Sequence, residues 1–208
     1  MGEELIFGPP GCGKTYTLID IVKEELGRGT PPDRIGFVSF SKKSIEEAKD
    51  RISAQTKLSL KDVPWFKTLH STGYNWLGLN DSNMMTRNDF NDLGKELGVI
   101  FDGYTAKSNS DGVLLQSFNK GNQYLELIGR ATMREVSLEE EYNDNGDYQL
   151  NYSFLNKVDQ VYKDYKREFD KRDFTDMISD FVNQGTAPKL DVLIVDEAQD
   201  LTKLQWSM

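Results

Sequence analysis

The chain has 208 residues, 38% of them hydrophobic and 28% charged, and carries a net charge of −9. That length allows one sizeable domain, or one domain with a smaller insertion, in a soluble globular class, and no apolar stretch approaches the ~20 residues that span a bilayer. The lone cysteine, Cys12, excludes an internal disulfide or a cysteine-rich metal centre, and the acidic balance argues against a chain that is basic over its whole surface.

At the N-terminus, Met1-Gly2-Glu3-Glu4 lacks the basic region and apolar core of a signal peptide. Ile6 stands where a myristoylation signal at Gly2 requires Ser or Thr. A reducing cytoplasm is the expected compartment, that of the host if the chain is viral. Leu5-Ile6-Phe7 reads as a short strand, followed by Gly8-Pro9-Pro10-Gly11-Cys12-Gly13-Lys14-Thr15, a G-x-x-x-x-G-K-T loop. The glycines let phosphates approach the main chain, whose N–H groups face an anion at a helix N-terminus. Lys14 suits the β- and γ-phosphates, and the Thr15 hydroxyl suits Mg²⁺. Cys12 sits at a variable position of that loop, and a redox role is disfavoured there. Leu18, Ile21, Val22 and Leu26 predict the following helix, with Gly27 as its stop.

Residues 35–40 predict a strand, running into Ser41-Lys42-Lys43-Ser44 and a helix with Ile45, Ala48 and Ile52 on one face. Trp65–Thr68 predicts a strand entering a helix at Leu69-His70-Ser71. Residues 80–170 read as a mostly helical insertion, with helices over Asn88–Leu97, near Gln123–Arg134 and over Tyr152–Phe169. Its residues 103–122 read as loop with one apolar run, Val113-Leu114-Leu115, and Glu139-Glu140-Glu141, Asp144 and Asp147 read as a solvated acidic loop. Phe154, Tyr162 and Tyr165 fall at helical spacing, which favours core over nucleic-acid stacking. Finally Val192–Val195 predicts a strand that delivers two adjacent carboxylates, Asp196 and Glu197. Together with residues 8–15 they make the two halves of a nucleoside-triphosphate site.

Strands alternating with helices predict an α/β fold with a parallel sheet. Loops 8–15, 40–44, 68–71 and 196–200 each follow a strand, so they belong at one edge of that sheet.

Taken in order, these segments resemble the first motor domain of superfamily 1 helicases of the UvrD/PcrA/Rep group. Gly8–Thr15 matches Walker A. Val38–Ser44 is similar to motif Ia, Thr68–Ser71 to the T-x-H-S of motif Ib, and Val195–Asp200 to motif II. Asp173-Phe174-Thr175-Asp176-Met177-Ile178 is similar to the D-F-x-D-L-L segment before motif II, and the compact start is similar to short UvrD-like helicases of bacteriophages. The resemblance implies a RecA-like P-loop motor domain over 1–79 and 171–208, with 80–170 equivalent to subdomain 1B. It implies ATP and Mg²⁺ as cofactors, with Gly8 to Thr15 and Tyr16 around the nucleotide and Thr15 and Asp196 on the metal. Lys14 would act on the phosphates, Glu197 would activate water, and Gln199 would sense the γ-phosphate. Phe40, Ser41, Lys42, Thr68 and His70 would lie along single-stranded DNA, which fits an aromatic platform with hydroxyls and a cation. Taken alone, Phe40 could equally be core, Lys42-Lys43 a solvated pair, and His70 a capping or packing residue.

Two departures stand out. No glutamine precedes Gly8, where the family places its adenine contact. The sequence ends at Met208, before motif III, the second motor domain and the family's arginines. An N-terminal piece of a longer helicase is therefore expected, with no unwinding, negligible hydrolysis and an open sheet slot flanked by the strands ending at Phe7 and Val195. Two other classes compatible with the residues are a nucleic-acid remodelling or nuclease-associated ATPase and a stand-alone ATP-binding module.

Overall fold

Ile35–Ser39 is buried at all five positions, and it forms the central strand, β1, of a three-stranded parallel sheet. The structure, a computed structural model, describes residues 3–9, 12–56, 58–59, 61–101, 119–145 and 149–208. Pro10, Gly11, the Val113-Leu114-Leu115 run and Asp147 lie outside the described residues. Phe66–Thr68 (β2) and Val192–Asp196 (β3) flank β1 in the order β2-β1-β3.

The described residues divide into two compact units. The first comprises Met1–Leu69 and Pro188–Asp200, the second His70–Ala187 and Leu201–Met208. The second unit thus takes in all of 80–170 and also 70–79, 171–187 and 201–208.

In the first unit, Lys14–Gly27 (α1) and Lys42–Gln55 (α2) lay their apolar stripes on the sheet. Val22 of α1 and Ile45, Ala48 and Ile52 of α2 meet Phe37, Phe66 and Ile194 in one core. Leu18, Ile21 and Leu26 pack at its margin, while Ile19, outside the predicted stripe, is fully enclosed. Leu5-Ile6-Phe7 departs from expectation. It forms no strand, and Leu5 and Phe7 are 77% and 86% exposed. A strand exists only through its neighbours' backbone hydrogen bonds, and among the described residues none lies alongside this segment.

The second unit is helical. The helix Leu69–Trp76 (α3) begins at its boundary, followed by Arg87–Leu97 (α4), Lys120–Arg134 (α5), Leu138–Asn145 (α6), Tyr152–Glu168 (α7), Phe174–Gln184 (α8) and Lys203–Trp206 (α9). Thr86 caps α4 in a reciprocal box with Asp89, and Gly98 closes it in the left-handed conformation that glycine adopts without strain. Phe90 and Leu93 from α4, Leu125 and Ile128 from α5, and Leu155, Val158 and Tyr162 from α7 form the second core, with Phe154 and Tyr165 packed against it.

The acidic run is helix where a loop was expected, and although Glu139, Glu140 and Asp144 are solvated as expected, one member of the run is not. Glu139–Glu141 lie in helix α6, and Glu141 is fully buried. Arg130, one turn before Arg134 on α5, pairs with Glu141 at 2.8 Å, and Arg134 bonds it as well. Two guanidinium groups thus replace the water that a carboxylate loses on burial.

Candidate nucleotide site

Because the strands run parallel and in register, their carboxyl ends coincide: Ser39 pairs with Thr68 on one side and Asp196 on the other. Side chains alternate faces along a strand. Counting back by twos from this row gives Phe37, Phe66 and Ile194, which belong to the core under α1 and α2. The apolar face therefore ends in a polar row, Thr68, Ser39 and Asp196, each almost wholly buried. Buried polar groups are costly unless paired. The Ser39 hydroxyl has no hydrogen-bond partner among the described residues.

Burial, and then the neighbouring Glu197 charge, push the Asp196 carboxyl above its ordinary value, while a hydrogen bond from the Glu197 amide and, more weakly, the Lys14 ammonium pull it back. Lys14, at the start of α1, thus bears electrostatically on Asp196 at the end of β3. Lys14 Nζ folds over its own loop, donating to the Gly8 carbonyl at 2.9 Å and the Pro9 carbonyl at 3.3 Å. The Cys12 amide also donates to Pro9 at 3.3 Å, and a Cβ on Gly8 would collide with Cys12 Sγ. Gly13, at φ 92°, turns the chain into α1, a conformation that other residues rarely adopt. No side chain caps this helix and no acid stands in its first turn. Its leading N–H groups and dipole therefore favour an anion. Thr15 is half-buried there, and Tyr16 is exposed, with its ring centre 6.0 Å from the Arg51 guanidinium.

Beyond Asp196 the backbone enters an unusual geometry. Glu197 has φ 54°, a left-handed conformation that a glutamate adopts at a cost. Gln199 Nε2 donates to Glu197 Oε2 at 2.6 Å, so the two side chains act as a pair.

The remaining predicted residues have diverse settings. Phe40 is half-buried and stands outside the apolar core. Ser41 caps α2, accepting from the Ser44 amide at 3.1 Å, and Lys42 is exposed on the first turn. Thr68 is turned into the buried row. His70, in the second unit, meets Phe174 edge-on at 5.5 Å. Burial lowers its pKa to about 4 against the pull of Asp173, so it is neutral at pH 7.

The donors fit a hard divalent cation. Asp196 supplies a carboxylate and Thr15 a hydroxyl, and an orphaned hydroxyl, Ser39, stands beside Asp196 in the row. Among the described residues no three His, Cys, Asp or Glu groups converge into a cage. Mg²⁺ suits such a sparse set, since it keeps waters and takes substrate phosphates as ligands. Ser39 is the residue that sequence reasoning passed over. Its signal was a serine at the third step of a period-two apolar series, Ile35, Phe37, Ser39.

The family model of the UvrD/REP helicase N-terminal domain matches residues 1–208. The chain is also similar to one of the subunits of the ATP-dependent helicase/nuclease of Streptococcus agalactiae, in strains of serotypes Ia, V and III. In each, identity is 27% over 100 residues, taking in 46% of this chain and 8% of the relative. The matched stretch thus spans less than a tenth of the relatives' length.

Proposed function

This chain belongs to the UvrD/REP helicase family, as its N-terminal domain, and from that premise we propose that it binds ATP with Mg²⁺ and forms the hydrolysing half of a motor that moves along single-stranded DNA and parts the duplex. The observation that carries this reading is the arrival of Asp196 at the carboxyl end of the sheet, on the face covered by α1, whose uncapped start carries Lys14. In it, Lys14 gives up its loop carbonyls for phosphate oxygens, and the uncapped amides of α1 hold the same charge. Thr15 and Asp196 hold the metal, which when bound neutralises phosphate charge. Glu197 accepts the proton of the attacking water, and Gln199, already bonded to Glu197, reports whether a γ-phosphate is present. Residues 1–79 and 171–208 act as the motor domain and 80–170 as its inserted subdomain, and the cytoplasm is the setting. Phe40, Ser41 and Lys42 make the nucleic-acid track of the first unit, Thr68 contributing from the buried row, and His70, in the second unit, contributes as a neutral ring.

A second reading, a motor serving a nuclease complex, is favoured by the name of the streptococcal relatives, which pairs helicase with nuclease. Both readings require the same nucleotide site. Titration of a fluorescent ATP analogue with Mg²⁺ tests it: Lys14→Ala should abolish binding, because it removes the cation inside the loop. Equal affinities of the two proteins would refute the assignment.

A further inference from the structure

We propose that Ser39 is a positioning residue for Asp196. Its hydroxyl donates a hydrogen bond to one carboxylate oxygen while Asp196 holds a divalent cation through the other. The inference deepens the proposed nucleotide site and rests on the reading of Asp196 given there.

Three observations and one general property of serine carry it. Ser39 is 1% exposed, and its Oγ finds no partner among the described residues. Asp196 is its in-register neighbour on β3, so both side chains stand on one face at the same level of the sheet. The two preceding residues of that face on β1, Ile35 and Phe37, are fully buried and apolar, so packing alone would be served by alanine at position 39. A serine hydroxyl also swings between staggered positions about one bond, leaving the strand in place. An orphan donor beside a carboxylate enclosed to 2% exposure is poised to fix which oxygen faces the loop. Outer-shell hydrogen bonds to ligating carboxylates do this in metal sites generally, and losing one costs about 10–100-fold in metal affinity or activity.

The test uses the full 208-residue chain, Mn²⁺, and a fluorescent non-hydrolysable ATP analogue. The Mn²⁺ concentration for half-maximal analogue binding is measured alongside the melting temperature without ligand. Ser39→Ala should melt at the wild-type temperature or above, since it removes a buried unpaired hydroxyl. It should need about tenfold more Mn²⁺, while metal-free analogue binding stays unchanged. Ser39→Thr should restore the wild-type requirement, and Ser39→Cys, near-isosteric with a weaker donor, should fall between. A wild-type Mn²⁺ requirement in Ser39→Ala and Ser39→Cys would overturn the proposal. So would a lowered melting temperature with metal-free and metal-dependent binding reduced alike, the mark of packing alone. Lys14→Ala and Asp196→Asn separate the two levels. If both bind like wild type, the nucleotide site itself is wrong and the role of Ser39 falls with it. If both lose binding and Ser39→Ala does not, only the positioning role fails.

Discussion

Glu141 has no exposed side-chain surface, and Arg130 and Arg134 that neutralise it are 38% and 41% exposed. Replacing it with alanine leaves both cations able to turn to water, so the cost is smaller than for a fully enclosed pair. Glu141→Ala should lower unfolding free energy by about 2 kcal/mol in urea titrations, from lost packing and lost charge-assisted bonds. His70 offers a pH-dependent counterpart. Its folded pKa is about 4 against an ordinary 6.5. Between those values the unfolded chain takes up a proton that the folded chain refuses, so this contribution is complete above 6.5 and is lost as pH falls toward 4. The stability gap between wild type and His70→Gln should therefore narrow from pH 7 to pH 5 in paired denaturation curves. A gap that stays constant would mean that His70 titrates normally when folded.

Among the elements, α2 carries two demands at one residue. Ser41 is its N-cap, and the proposed nucleic-acid track passes the same hydroxyl. Ser41→Ala should cost about 1 kcal/mol in stability. Ser41→Asp keeps an acceptor for the Ser44 amide and suits the helix dipole, yet it sets a negative charge against phosphate. It should leave the melt unchanged while weakening oligonucleotide binding by anisotropy, and unchanged binding would remove Ser41 from the track. Elements whose information is local were legible in advance. The stripe of α7 and the Gly98 stop of α4 can be read by spacing. What escaped depends on distant partners. Leu5–Phe7 has strand-like residues and no strand beside it among the described residues. The burial of Glu141 is set by arginines on α5, and the significance of Ser39 appears only when β3 brings Asp196 alongside.

For the molecule as a whole, a net charge of −9 means that any hold on nucleic acid must come from a local surface. Its sheet is small, and among the described residues β3 pairs only with β1. The outer side of β3 thus presents the outward-pointing half of its backbone groups to no other strand among the described residues, with Leu193 57% exposed on the face opposite α1 and α2. Open edges of this kind recruit other chains unless charges blunt them. Residues 1–208 should self-associate in sedimentation velocity as concentration rises, and Leu193→Lys should reduce that association. Concentration-independent sedimentation of the wild type would show the edge to be shielded.

The pairing of β1 with β3 also fixes an order of events during synthesis. Arg34 and Asp191, ion-paired at 3.2 Å beside that ladder, are 157 residues apart in sequence. A ribosome makes β1, α1 and α2 first, yet their central strand lacks one neighbour until residues 192–196 emerge. Meanwhile almost all of the second unit is synthesised, and its contacts are between helices closer along the chain, which form faster than distant strand pairings. The sheet of the part made first thus closes only near the end of the chain. Until then Phe37 and Phe66 lack Ile194, their partner in the core, and leave apolar surface uncovered.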